Sequence, residues 1–489
     1  GQGAGGQGGR GQDLGHSGED TETRRHEDAE TSQSPHLLIS PPPHLPTHLI
    51  LDAIAQNPTA AHHQEALQAL QRIEQLQQQQ APQKAIAAAY YAIGRLYRDH
   101  LEQGSVTGTL TLAIQFHEQT LVWLEEDSTL WSDVLNDLGN LYWMQAHDAV
   151  GADLQLASLE QAVQVYEQAL SKTSSQNHPQ TYAMIQNNLG SAFGDLAQYR
   201  EPAENLRKSV LAYETALRYR SLNDDPARYA ATQNNLGTTC WNLAQHQQPV
   251  AHLTQAIAAY QEAVRYYTAE REPLHYAMIQ NNLGTAFWNL AQHTKSGSGS
   301  AKPDSASPET LLRQAIAAYQ NALIYRTLDA APAAYAATQN NLGTAHWNLA
   351  TLSNAPQEER REQLQQATTA YEAAITAVET LSTRTGQRPA LTFDVFATHN
   401  NLGLAYYQLA IDQHSALDPA KRQKYLERSL KSHLQALQNW EPLSDFYQST
   451  LDHVIQTVRT FYTECGIQGQ NLALSQIPAH LLPEIMRRL

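Results

Sequence analysis

The string Gln-Asn-Asn-Leu-Gly occurs at Gln186 to Gly190, Gln233 to Gly237, Gln280 to Gly284 and Gln339 to Gly343, and as His-Asn-Asn-Leu-Gly at His399 to Gly403. Two weaker copies precede these, with Tyr91 and Ala92 ahead of Gly94 and with Asn136 and Asp137 ahead of Gly139. Successive glycines are 45, 51, 47, 47, 59 and 60 residues apart, so the chain holds seven copies of one unit. Around Gly237 the apolar or small residues Tyr229, Thr232, Leu236, Cys240 and Leu243 fall at helical spacing on one face. After a break near Pro249 the same period returns in Leu253, Ile257, Tyr260, Ala263, Val264 and Tyr267. Other units repeat this second segment as Tyr166-Ala169-Leu170, Tyr213-Ala216-Leu217, Tyr319-Ala322-Leu323 and Tyr371-Ala374-Ile375. Pro226, Pro273 and Pro332 mark the start of the next first helix. Each unit therefore reads as a helix hairpin.

A two-helix hairpin cannot bury its apolar faces alone, so the expected fold is all-α, a right-handed solenoid of stacked hairpins closed by helical caps. A glycine inside a helix costs about 1 kcal/mol against alanine. Its recurrence beside small Ala244 and Ala263 implies close approach of the paired helix. The order Leu-Gly, an aromatic nearby, then Ala-x-x-Tyr-x-x-Ala on the second helix resembles the tetratricopeptide repeat over residues 85–440. The units exceed the common length of about 34 residues, and in this they resemble those of kinesin light chains and of cyanobacterial tetratricopeptide proteins.

Opposite the core, the first helices carry amides and an indole. Three units repeat the set closely: Asn234, Asn235, Trp241 and Asn242; Asn281, Asn282, Trp288 and Asn289; Asn340, Asn341, Trp347 and Asn348. Asn187 and Asn188 stand in the unit before them, and Asn401 follows Asn400 in the last. Asparagine is a poor helix former, because its side chain competes for backbone hydrogen bonds, so a role must offset its recurrence. One role is fastening adjacent units, with the tryptophans packed on their neighbours. The other is binding: a carboxamide both donates and accepts, and so can pair with the backbone of an extended peptide. In tetratricopeptide proteins such as O-linked GlcNAc transferase, asparagines of the first helices form such a ladder. The resemblance implies that role for Asn188, Asn235, Asn282, Asn341 and Asn401. The first asparagine of each pair is expected to point into the groove and the second to lie at its edge. Thr238, Thr285 and Thr344 stand where a carboxylate clamp would need Lys or Arg, so a chaperone-tail receptor is not expected.

The net charge of −16 and the lack of any basic run exclude a phosphate-backbone partner. No uninterrupted apolar run is long enough to cross a bilayer, so a soluble chain without membrane insertion is expected. Cys240 and Cys465 are the two cysteines, both within helical patterns; with no signal-like segment in view, the cytoplasm is the default location. No Walker loop, HExxH motif, paired CxxC or nucleophile–base set stands out, so neither an enzyme nor a metal or other cofactor is expected. Gly1 to Gly6 spell GxGxxG, but without the strand and helix a dinucleotide site requires.

By composition, residues 1–46 read as a disordered Gly/Gln/acidic tail with a proline-rich connector, 47–84 as N-terminal capping helices, and 441–489 as a C-terminal cap. Lys295 to Pro308 reads as a flexible insertion. The expected function is a scaffold that binds an extended segment of a protein partner. Two readings compete with it: a regulatory region of a larger effector, such as a CHAT-type peptidase, and a homo-oligomeric structural element.

Overall fold

Proline opens many of the helices, because its fixed φ suits the first helical position and its missing N–H is not needed there. The computed structural model describes residues 61–489 apart from 102–107, 126–127, 297–305, 353–355, 388, 413–417, 439 and 443. The glycine-rich tail, the proline-rich connector and most of the Lys295 to Pro308 insertion lie outside these residues. The described chain is helical throughout, from α1 (Ala61–Gln78) to α17 (Leu482–Arg488). Between them run seven hairpins. The first three are α2 (Gln83–Leu101) with α3 (Thr109–Trp123), α4 (Trp131–Asp148) with α5 (Ala152–Lys172), and α6 (Pro179–Leu196) with α7 (Pro202–Leu217). The next two are α8 (Pro226–Leu243) with α9 (Pro249–Ala263), and α10 (Pro273–Ser296) with α11 (Pro308–Leu323). The last two are α12 (Pro332–Ala350) with α13 (Gln357–Thr385), and α14 (Val395–Ala410) with α15 (Pro419–Ala436). A long α16 (Asp445–Ser475) follows, broken at Gly466, whose φ of 69° and ψ of −167° interrupt the helix.

Within each hairpin the motif glycine faces the ring of a residue on the second helix. A Cβ added to Gly237 would lie 2.8 Å from Tyr260 ring atoms, and one on Gly139 would lie 2.5 Å from Tyr166. Gly190, Gly284 and Gly343 meet Tyr213, Tyr319 and Tyr371 in the same way. In the first and last units a histidine replaces the tyrosine, His117 against Gly94 and His433 against Gly403. The tyrosine ring lies over the glycine, and its hydroxyl meets the next residue of the first helix. Tyr166 donates to Asn140 at 2.6 Å, Tyr319 to Thr285 at 3.2 Å and Tyr371 to Thr344 at 3.1 Å. The Tyr213–Ser191 and Tyr260–Thr238 pairs lie at 2.9 and 3.0 Å. Burial pushes the Tyr213 and Tyr260 hydroxyls up to about 12, so they stay protonated. The groove threonines of the sequence reading are thus tied to the hairpin itself.

The leucine before each glycine is buried, and one continuous apolar cluster runs from Leu206 through Tyr260 and Tyr319 to Leu349. First helices of successive units touch from α4 to α14, and α16 then touches α14 as the first helix of a further unit would. This places the first helices on one layer, with their motif residues facing across each junction.

The last junction carries a histidine pair. His433 is 1% exposed, its Nδ1 lies 2.9 Å from Asn400 Oδ1, and its ring centroid is 5.2 Å from that of His453 on α16. Thr450 and His453 also reach Asn400 Oδ1, each at 3.3 Å. Burial, and then repulsion from His453, holds His433 well below the ordinary histidine value; burial lowers His453 too, against the pull of Asp452.

Two predictions follow from this packing. Gly237→Ala must displace the Tyr260 ring and lower stability by about 1–3 kcal/mol, despite its gain in helix propensity; urea unfolding measures this. For the histidine pair, the folded state prefers the neutral form, so the unfolded chain takes up protons first as pH falls below about 6.5. Stability is therefore full above that pH and declines as pH drops toward the depressed folded values. Urea midpoints at pH 7.5 and 5 should show this decline, and His433→Tyr, which gives the last unit the residue of its neighbours, should reduce it.

Candidate functional site on the first helices

The two asparagines of the motif point along the stack in opposite directions. The first reaches forward: Thr232, Thr338 and Thr398, each on the first helix of the following unit, donate to Asn187, Asn281 and Asn340 Oδ1 at 3.0, 3.0 and 2.8 Å. These threonines are at most 1% exposed. Arg220 and Arg326 donate from the preceding loops to Thr232 and Thr338, at 2.6 and 3.0 Å. Burial lowers the pKa of both arginines, and Arg228 adds repulsion at Arg220.

The second position reaches back. Asn188 Nδ2 donates to Asn136 and Asn140 of the preceding unit, both at 3.1 Å. Asn282 hydrogen-bonds the Tyr260 hydroxyl of the unit before it. In the second unit the position is Asp137, which accepts from Tyr91 at 2.9 Å and pairs with Arg98 at 2.5 Å. Burial alone would raise its pKa, but the hydrogen bond from His117 and the charge of Arg98 hold it below the usual carboxylate range. The sequence expectation that the first asparagine serves the groove and the second its edge is thereby altered. The first asparagines spend their acceptor on the next unit. Asn235, Asn341 and Asn401, all second asparagines and half-buried, have no hydrogen-bond partner among the described residues.

One forward link is missing. The residue of the fifth unit that would face Asn234 is Ile279, which has no hydroxyl, and Asn234 Oδ1 is shielded from solvent without a partner. The alternation is legible in sequence only in hindsight: Arg220 accompanies Thr232 and Arg326 accompanies Thr338, whereas Tyr267 accompanies Ile279 and Thr173 accompanies Ile185. Reading one unit in isolation hides a pairing that crosses from one unit to the next.

The remaining sequence candidates divide. Asn348 is 8% exposed, donates to the Thr344 carbonyl at 2.8 Å and accepts from Gln292 at 3.3 Å, so it is used inside the fold and is not available to a ligand. Asn289 spends its Nδ2 on the Thr285 carbonyl. Asn242 is half-buried, with no hydrogen-bond partner among the described residues. Trp241, Trp288 and Trp347 pack part-buried against the core, and each indole N–H is shielded without an acceptor. Trp143, at the same position in the second unit, instead donates to Asp195 of the third at 2.7 Å. Among the described residues no group of three or more His, Cys, Asp or Glu side chains is placed to hold a metal. None of the described helices is long and apolar enough to cross a membrane.

Hairpins closed by glycine against an aromatic ring, and joined through their first helices, settle the architecture. The chain is a tetratricopeptide-like α-solenoid. No protein-family model matches it, and no curated protein does. Solved structures similar to the solenoid include BtubC (BKLC) from P. vanneervenii, at 18% identity over 60% of this chain and 96% of that one, with a TM-score of 0.35. Another is a signal-transduction ATPase with numerous domains carrying a tetratricopeptide repeat sensor, from Pyrococcus horikoshii. It shows 12% identity over 90% of this chain and a TM-score of 0.41, and the solenoid spans 56% of its length. The complex of the TPR2AB domain of yeast Sti1 with pHSP90 matches at 13% identity over 62% of this chain and 96% of that one, with a TM-score of 0.22.

The two asparagines separate experimentally. Asn281→Ala and Asn340→Ala each remove a buried cross-unit hydrogen bond, while Thr338 and Thr398 keep the Ala334 and Asp394 carbonyls as acceptors, and each should lower stability by about 0.5–1.5 kcal/mol. Asn341→Ala, which removes no internal hydrogen bond, should leave the urea midpoint within the scatter of repeated measurements.

Proposed function

We propose that the solenoid is a protein-interaction scaffold that holds an extended segment of a partner along its first helices. The observation that carries this reading is the row of second-position carboxamides, Asn235, Asn341 and Asn401, whose donors and acceptors the fold leaves unused. A carboxamide matches the N–H and C=O of an extended backbone without reading its side chains. Packed helices lie about 8–10 Å apart, which is about three extended residues at ~3.3 Å each, so the spacing suits a strand laid across the stack. The span from Asn188 to Asn401 would take about a dozen residues of such a segment at that spacing. The exposed Thr238 and the part-exposed tryptophans add apolar and polar contact beside the ladder.

The test is a comparison of the intact chain with the triple variant Asn235→Ala, Asn341→Ala and Asn401→Ala. Proteins captured from lysate of the source organism are identified by mass spectrometry, and melting is measured alongside. A partner held by the intact chain should be lost from the variant, with melting unchanged. A variant that melts normally and still holds the same partner would sink the ladder.

A further inference from the structure

The junction between the fourth and fifth units differs from its neighbours in two respects that bear on what it binds. First, the Asn234 acceptor goes unsatisfied here, whereas the corresponding acceptors of Asn187, Asn281 and Asn340 are met, and two of the three shielded indole N–H groups of this row, the third being that of Trp347, flank it. Asn234 Oδ1 lacks its threonine because Ile279 stands there, and the indole N–H groups of Trp241 and Trp288, one from each unit, also lack partners. That is one acceptor and two donors at a single junction. Leaving such groups unpaired and shielded destabilises a fold, so a ligand able to satisfy them gains what the free protein lacks.

Second, the surrounding helix faces carry no formal charge. Between Tyr229 and Leu243, between Tyr276 and Gln292, and along the whole of α12, there is no Asp, Glu, Lys or Arg. This is notable in a chain of net charge −16. Within the polar row of the first helices, charged groups appear nearer the N-terminus, as the Arg98–Asp137 pair and as Asp195 beside Trp143 and His147, while Arg228 lies in the first turn of α8 and Arg326 reaches Thr338 from the loop before α12. His346 on α12 is buried, lies 2.6 Å from Gln363 Oε1, and is held neutral by burial.

Resting on the reading of the groove as a peptide site, we propose that the junction of the fourth and fifth units anchors an uncharged, amide-rich segment. Asn234 accepts from an amide N–H of this segment, and Trp241 and Trp288 donate to its carbonyls. The side chains are part-exposed and their polar tips shielded, so the anchor requires that each tip turn toward the ligand about its own side-chain torsions. Binding by neutral hydrogen bonds has a clear signature. Attraction between charges is screened by salt, whereas amide pairing on an uncharged surface is not. A charged residue brought to this surface would lose hydration without gaining a counter-charge.

The test uses the full chain and three dye-labelled twelve-residue peptides, acetylated and amidated: one of glycine, glutamine and serine, and two in which glutamate or lysine replaces the glutamines. Fluorescence anisotropy is read at 50 and 500 mM NaCl, with intrinsic tryptophan emission in parallel. The neutral peptide should bind at least tenfold more tightly than either charged one, change less than twofold with salt, and shift the tryptophan emission. Ile279→Thr offers Asn234 a hydroxyl donor like those that meet Asn187, Asn281 and Asn340, and should weaken the neutral peptide about tenfold, whereas Ile279→Val, which also trims this buried side chain but adds no donor, should not. Tighter, salt-sensitive binding of a charged peptide that Asn235→Ala abolishes would overturn this proposal while leaving the peptide groove standing. Unchanged binding by the Ile279→Thr variant would overturn the anchor. Failure of all three peptides to bind would overturn both readings.

Discussion

Everything in this solenoid depends on one contact, a glycine in the first helix lying under an aromatic ring of the second. The ring occupies the space a Cβ would need, so the two helices approach until the tyrosine hydroxyl can reach across to the residue after the glycine. That residue is asparagine, serine or threonine wherever tyrosine supplies the ring, because a hydroxyl brought into a half-buried seam needs a partner. Where histidine replaces tyrosine, in the first and last units, the partner changes. His117 sits near Asp137, and His433 turns to Asn400. The end units thus keep the close approach and replace the polar lock.

With the hairpin set, the asparagine pair links one hairpin to the next. The first amide accepts from a threonine ahead, and the second reaches the unit behind. Each link is short-range, so stability accumulates from neighbour to neighbour. The C-terminal cap follows the same rule: Thr450 of α16 meets Asn400 as the threonines of true units meet their asparagines. The cap closes the stack by imitating a first helix.

The links are not uniform, and two of the exceptions fall in one unit. Forward links hold at Asn187, Asn281 and Asn340 and fail at Asn234; backward links hold at Asn188 and Asn282 and are absent at Asn235, Asn341 and Asn401. The fourth unit, with Asn234 and Asn235, therefore has both amides unspent. It is also where the first helices carry tryptophans and no formal charge, apart from Arg228 in the first turn of α8. A packing requirement satisfied elsewhere is relaxed there, in the place where a ligand could satisfy it.

The period, the hairpin and the buried Leu-Gly were legible in the residues alone. Helical spacing of apolar side chains and a helix-weakening glycine at fixed intervals have few explanations besides close-packed repeats. Proline at the first helical position likewise marks its own boundary. The division of labour between the two asparagines was not legible, and the sequence reading placed the first in the groove. Both residues carry the same side chain, and which one is free depends on whether threonine or isoleucine stands on the adjoining helix, some 45 to 58 residues away. Local chemistry along the chain determines the helix and its faces; the partner of a polar group across a junction is decided only when two units are brought together.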